Sequence, residues 1–129
     1  MKKIAYILVA CLILAAHSTM AGCAEPKQFS DASSPIAVKA GEEFVISLES
    51  NPSTGYHWQL SKPLNEAIMV LVDSQFQAPN TKLIGAPGVE LWTFKASGKG
   101  STEVAFEYVR SWEKDVPPAR NAVFTVLVD

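Results

Sequence analysis

Apolar and polar side chains alternate along much of the chain after residue 35, and this alternation restricts the fold more than any other feature. A period of two residues is typical of a β-strand with one buried face. Segments with this period, or with a short continuous apolar run, are residues 44–49, 56–60, 68–72, 91–96, 102–108 and 121–128. No segment after residue 35 has both the length and the 3.6-residue period of a helix. The chain is therefore predicted to be all-β.

Residues that favour turns lie between these segments. They are Gly41, Asn51-Pro52, Pro63, Pro87-Gly88, Gly98-Lys99-Gly100 and Pro117-Pro118. About six to eight short strands with this spacing predict an antiparallel sandwich or barrel. The turn Gly98-Lys99-Gly100 in addition predicts a tight hairpin between the strands on either side of it.

The first 22 residues have the order of a secretory signal peptide. Lys2 and Lys3 form a basic start, residues 4–16 are almost wholly apolar, and small residues follow at Ala21 and Gly22. The apolar stretch is shorter than the roughly 20 residues that a membrane-spanning helix needs. We therefore expect residues 1–22 to be removed on export.

The cleavage region is also informative, because residues 20–23 resemble the bacterial lipobox, with Met20 where Leu is usual. This resemblance implies that Cys23 becomes the lipidated first residue of an exported protein, periplasmic or at the outer surface and anchored to the membrane. The alternative is soluble export with a free or paired Cys23. Residues 23–34 are small and polar, and we interpret them as a flexible tether. Residues 35–129 are the predicted folded domain.

The ionisable and thiol groups argue against several functions. The chain has 11 basic and 13 acidic residues, scattered along its length, so it has no predicted face for nucleic acid. Its two cysteines are Cys11, in the signal, and Cys23, so neither an internal disulfide nor a multi-thiolate zinc site is predicted in the domain. A single His, His57, remains outside the signal. We therefore expect a binding protein without enzymatic activity, metal or cofactor.

Three predicted loops carry the residues best suited to contact a partner. In the central loop, residues 51–56, a Pro restrains the backbone and a Gly permits positive φ, while the tip is short and polar. The second loop, residues 85–88, is rich in Gly and Pro, and the third, residues 110–113, contains an Arg and a Trp, which are frequent at binding hot spots. The candidate residues are Asn51, Pro52, Ser53, Thr54, Gly55, Tyr56, Gly85, Ala86, Pro87, Gly88, Arg110, Ser111 and Trp112. By itself, each loop could also be an ordinary turn.

Together, the three loops resemble the motifs of the chagasin family of cysteine protease inhibitors. The central loop is similar to that family's Asn-Pro-Thr-Thr-Gly-Tyr motif, with Ser53 in place of the first Thr. Residues 85–88 fall where the family has a Gly-rich loop, with Pro87 in place of a Gly. Residues 110–112 fall where it has Arg-Pro-Trp, with Ser111 in place of Pro. The order and spacing match over about residues 35–129.

The resemblance implies an immunoglobulin-like antiparallel β-sandwich whose three loops block the active-site cleft of a papain-like cysteine protease. The central loop would lie over the catalytic Cys and His of the protease, with Thr54 nearest to them. The second loop would follow one side of the cleft, and Arg110 and Trp112 would contact an aromatic surface on the other side. The alternative interpretation is an envelope binding or assembly module that uses the same sandwich without inhibiting a protease.

Overall fold

The computed structural model describes residues 26–129, so the predicted signal (residues 1–22) and Cys23 lie outside the described range. Two four-stranded sheets pack against each other. Their strands are β1 Lys27–Phe29, β2 Ile36–Val38, β3 Glu43–Ser50, β4 Tyr56–Leu60, β5 Met69–Gln77, β6 Gly88–Ala96, β7 Gly100–Arg110 and β8 Arg120–Val128. The first sheet has the order β1-β3-β6-β5 and the second β2-β8-β7-β4. The predicted all-β sandwich is confirmed.

Strand direction follows the prediction except at two edges. The longer strands all pair antiparallel, whereas the short strands β1 and β2 run parallel to β3 and β8. Both exceptions are three-residue edge strands. Among residues 26–129, no helix is long and apolar enough to span a membrane.

The core lies between the sheets and is built from the alternating residues. The buried side chains include Phe44, Ile46, Leu48, Trp92, Phe94, Val104, Phe106, Phe124 and Val126. Phe106 is central, because its ring makes edge contacts with Phe94 and Phe124 at centroid distances of 6.2 and 6.0 Å. Each such side chain contributes about 1.5–3 kcal/mol by leaving water. The apolar residues that alternate along β3, β6, β7 and β8 therefore form their buried faces, as a period of two predicts.

The predicted hairpin at Gly98-Lys99-Gly100 is wrong. The strands on either side of it, β6 and β7, belong to different sheets, so residues 97–99 cross from one sheet to the other. Backbone N–H groups of Ser97 and Gly98 donate to the carbonyl of Ile68, which holds the crossing against the segment before β5. A Cβ at Gly98 would overlap the carbonyl oxygen of Ala67. Gly is required here by close packing and not by a hairpin turn.

The predicted tether, residues 23–34, is wrong for its middle part. Residues 27–29 form β1 and pair with β3, and the ring of Phe29 makes an edge contact with Phe44 at 6.4 Å. The next turn is also ordered by hydrogen bonds. The side-chain hydroxyl and the backbone N–H of Ser33 both donate to Asp31, which lowers the pKa of that carboxyl. The packing of the Phe29 ring against the core therefore orders residues 27–29, although the composition of this segment suggests flexibility.

The apolar run at residues 68–72 is a strand, but most of it is not buried. Met69 is fully buried, whereas Leu71 and Val72 are exposed at the edge of the first sheet. The pairing with β6 slips between Leu71 and Asp73, so one residue bulges out of the ladder. The bulge interrupts the straight edge that such a strand would otherwise present.

Candidate functional site

The strand register brings the three predicted loops to one end of the sandwich. Ser50 at the end of β3 pairs with Gly88 at the start of β6, which places the central and second loops side by side. Tyr56 at the start of β4 pairs with Arg110 at the end of β7, which places the third loop beside the central loop. The central loop therefore lies between the other two.

The central loop is a single 3₁₀ turn, Pro52–Thr54, closed by its own hydrogen bonds. The side-chain oxygen of Asn51 accepts from the backbone N–H and the hydroxyl of Ser53. The hydroxyl of Thr54 donates to the carbonyl of Asn51 at 2.7 Å. Gly55 ends the turn at φ 81°, a left-handed conformation that Gly adopts without a steric cost. The polar tip is therefore exposed but internally constrained.

An aromatic platform supports this loop from the core side. The platform consists of Tyr56, Trp58 and Tyr108, with ring centroids 5.1 Å apart for Tyr56–Tyr108 and 4.9 Å for Trp58–Tyr108. The hydroxyl of Tyr108 accepts a hydrogen bond from the backbone N–H of Asn51 at 2.9 Å. The first residue of the central loop, Asn51, is thus held by a hydrogen bond to a buried residue of β7.

Asn51 also connects the central loop to the second loop. Its side-chain amide donates to the carbonyl of Gly85 at 3.0 Å, across 34 residues of sequence. Gly85 is at φ 80°, so a residue with a side chain would be strained there. One side chain therefore shapes the central turn with its oxygen and holds the neighbouring loop with its nitrogen.

Gly88 has a different role from the one the sequence suggested. It is buried as the first residue of β6, and a Cβ there would overlap the carbonyl of Gln77 and the ring of Phe76. It has a structural function in strand packing and does not belong to the exposed surface of the second loop. Gly85 and Pro87 are exposed, and Ala86 is half-buried.

The third loop is fastened to the central loop by Arg110. Its Nε donates to the carbonyl of Thr54 at 3.1 Å, and its guanidinium lies 4.3 Å from the centroid of the Tyr56 ring. The same guanidinium pairs with Glu113 at 3.1 Å. Arg110 is therefore largely occupied by contacts within the protein, although the sequence suggested a contact with a partner.

Trp112 combines a packed face with a free one. Its indole lies directly over Gly55, where a Cβ would overlap the ring, yet 65% of the residue is exposed. This position leaves a large apolar surface in solvent beside the tip of the central loop. Exposed Trp side chains of this kind are typical of binding surfaces.

Two residues that sequence reasoning missed lie just before the second loop. Leu83 and Ile84 are 76% and 104% exposed, more than any other large hydrophobic residue among those described. Their signal in the sequence was a pair of large apolar residues inside segment 78–87, which otherwise contains only small, polar and Pro residues and has no strand period. Among residues 26–129, no group of three or more His, Cys, Asp or Glu side chains could hold a metal ion.

Comparisons with known proteins identify the family of this chain. Residues 37–126 match the family described as chagasin family peptidase inhibitor I42. Chagasin of Trypanosoma cruzi is 32% identical over 80 residues, which cover 60% of this chain and 73% of that protein. Amoebiasin-2 of Entamoeba histolytica is 28% identical over 83 residues, covering 64% of this chain and 68% of that protein.

Solved structures share the fold. A cysteine protease inhibitor from Entamoeba histolytica superposes with a TM-score of 0.64 at 24% identity, covering 80% of this chain and 95% of that one. The inhibitor PbICP-C, solved in complex with falcipain-2, gives 0.56 at 18% identity, covering 81% and 89%. The matched family is one of inhibitors and not of enzymes. This chain belongs to the chagasin family of peptidase inhibitors.

Proposed function

We propose that this protein inhibits a papain-like cysteine protease by filling its active-site cleft with the three loops. The observation that supports this most strongly is the hydrogen-bonded assembly of the loops through Asn51 and Arg110. A loop that is already ordered loses little entropy on binding, so more of the contact energy remains as affinity. The central turn has a short polar tip, which suits the bottom of a cleft.

Within this proposal, the three loops have distinct tasks. Thr54 at the tip of the central loop approaches the catalytic pair of the protease, because it is exposed and lies between the flanking loops. Trp112 supplies apolar contact on one side and the second loop lines the other. The surface-contacting residues are Pro52, Ser53, Thr54, Gly85, Ala86, Pro87, Ser111 and Trp112. Asn51, Gly55, Tyr56 and Arg110 hold this surface in shape. Inhibition is by occupancy, with no bond made or broken.

Thr54→Arg tests the placement of the central loop. A long charged side chain at the tip would prevent the loop from entering the cleft, so the inhibition constant for papain should rise at least about a hundredfold, which corresponds to about 2.7 kcal/mol. Ser101→Arg is the control, since it adds the same group at an exposed site on the opposite end of the sandwich. Unchanged inhibition by Thr54→Arg would show that this loop is not at the centre of the interface.

We also propose that the exported protein is held at a membrane by a lipid on Cys23. The direction of β1 is compatible with this anchor, because Lys27 pairs with Phe44, far from the loop end of β3. If Cys23 is anchored, the first residue of β1 would therefore lie nearer to the membrane than the three loops. Only residues 24–26 separate Cys23 from β1, so the domain would sit close to the surface. A mass increase that Cys23→Ser abolishes would support lipidation, and an unlipidated wild-type protein would refute it.

A further inference from the structure

We propose that Glu90 is a positioning residue for inhibition, because its carboxylate holds strand β4 against the first sheet beneath the three loops. This inference rests on the proposed inhibitory function and adds to it a residue that acts from inside the sandwich. Glu90 belongs to β6 and lies two residues after Gly88, where the second loop ends. Its hydrogen-bond partner Trp58 belongs to β4 and lies two residues after Tyr56, where the central loop ends.

A carboxylate on the inner face of β6 is unexpected for a strand that packs against the core. The other residues on this face are buried and uncharged, namely Gly88, Trp92, Phe94 and Ala96. Glu90 is half-buried among them. Moving a carboxylate out of water is costly unless hydrogen bonds compensate for it. Core packing therefore does not account for a Glu at this position.

The carboxylate binds the backbone of the opposite sheet. Its Oε2 accepts from the backbone N–H of Trp58 at 3.0 Å, across 32 residues of sequence. Strand β4 is at the edge of the second sheet and has only β7 as a neighbour, so the carboxylate serves as an acceptor that no strand supplies. Hydrogen bonds to a charged acceptor are roughly twice as strong as those between neutral groups. Glu90 thus connects β6 to β4 across the sandwich.

Trp58 makes a second contact with the first sheet. Its indole Nε1 donates to the carbonyl of Glu49 at 2.9 Å, one residue before the end of β3. Its ring also packs on Tyr108 at 4.9 Å, and the hydroxyl of Tyr108 accepts from the backbone N–H of Asn51. A displacement of β4 would therefore be transmitted through Trp58 and Tyr108 to the first residue of the central loop.

The central loop is sensitive to such a displacement because it joins the two sheets. It begins after β3, in the first sheet, and ends at the start of β4, in the second. Its short 3₁₀ turn keeps its shape only while the ends of β3 and β4 keep their distance. Glu90 stabilises that distance, so it acts on inhibition through the central loop and not by contact with the protease.

The test compares Glu90→Leu and Glu90→Gln with the wild type in papain inhibition and in amide hydrogen exchange of the free protein. Leu is similar in size but lacks the acceptor, so the inhibition constant should rise about tenfold. The amide of Asn51 should exchange faster in this variant, because its hold on Tyr108 is loosened. Gln keeps an oxygen that can accept from Trp58, so its inhibition constant should stay within about threefold of the wild type.

Two controls separate positioning from general stability. Glu107→Leu makes the same substitution at a carboxylate that also contacts β4, through the side chain of Gln59, and should leave inhibition unchanged. Val128→Ala removes buried methyl groups at the opposite end of the sandwich and should lower the melting temperature without weakening inhibition.

The outcomes also distinguish this inference from the function on which it rests. Wild-type inhibition and exchange in Glu90→Leu would refute the positioning role while the inhibitor remains. A loss of inhibition in Val128→Ala equal to that in Glu90→Leu would refute it as well. If the wild type does not inhibit papain, the proposed function fails, whereas faster exchange of the Asn51 amide in Glu90→Leu would still support the hold of Glu90 on the central loop.

Discussion

The central loop and the segment before the second loop lie at the same end of the molecule, but they differ in how firmly the rest of the protein holds them. The central loop is a closed 3₁₀ turn, fixed by Asn51 within it and by Arg110 from outside. Residues 81–85 instead carry an apolar pair in solvent, held by few hydrogen bonds. The difference is that the backbone shape of the central loop is fixed by hydrogen bonds, whereas the apolar side chains of Leu83 and Ile84 are in solvent.

Gly55→Ala, in the central loop, should have the largest effect on inhibition. Ala at φ 81° costs about 1–2 kcal/mol, and its Cβ would in addition displace the indole of Trp112. Two loops would be disturbed at once, so the inhibition constant for papain should rise at least about a hundredfold. Gly41→Ala is the matched control, because Gly41 has φ 91° with open space around its Cβ and lies far from the loops. That variant should lower stability while inhibition stays unchanged.

Asn51→Ala should have the second-largest effect on inhibition, because it removes the hydrogen bond that connects the central loop to Gly85. The variant loses the acceptor for Ser53 and the donor to Gly85. Loss of a capping side chain and of one further hydrogen bond costs about 2 kcal/mol, or about thirtyfold in inhibition constant. Asn51→Asp keeps the acceptor for Ser53 but replaces the donor to Gly85 by a charged oxygen that repels the Gly85 carbonyl. Because the turn is kept, we expect its loss to be smaller. Equal losses in the two variants would show that the link to Gly85, and not the turn, determines affinity.

Arg110→Lys, which alters the link between the third loop and the central loop, should weaken inhibition moderately. Lys keeps the charge but cannot donate to Thr54 and pair with Glu113 in the same planar geometry. We expect the inhibition constant to rise about five- to tenfold, for a loss of about 1–1.4 kcal/mol. Arg120→Lys makes the same change beside Trp58 and Tyr108, below the loops, and should change inhibition less than twofold. Similar losses in both would contradict a special role for Arg110.

Ser111→Pro should have the smallest effect, in the direction of tighter binding. Pro at this position would restrict the third loop before binding, which is worth about 0.4–1 kcal/mol where the backbone allows it. We expect about a twofold to fivefold lower inhibition constant for papain, measured together with the melting temperature. A weaker inhibitor of unchanged stability would indicate that the third loop needs its present freedom to fit the cleft.

The sequence predicted the parts of this structure that follow from local patterns. Alternation identified the buried faces around Phe44, Phe94 and Phe106, and turn residues located the loops. It could not predict strand partners, because a period of two gives the face of a strand and not its neighbour; the supposed hairpin at Gly98-Lys99-Gly100 failed for this reason.

The geometry of the site was predictable only in part. The residue types at positions 51–56 indicated a stiff turn, and Pro52 and Gly55 have the expected roles. The contacts of Asn51 with Gly85 and of Arg110 with Thr54 join residues 34 and 56 positions apart, for which no local pattern exists. The burial of Gly88 likewise depends on the neighbouring strand β5.

Titration of papain with the purified protein tests the central claim most directly. A fixed concentration of active papain is mixed with increasing amounts of the inhibitor, and the residual activity and the mass of the recovered inhibitor are measured. The account predicts a linear loss of activity that ends at one inhibitor per protease, with the inhibitor recovered uncleaved, because the loops act by occupancy alone. Full papain activity at micromolar inhibitor, or activity lost only as the inhibitor is cleaved, would contradict it.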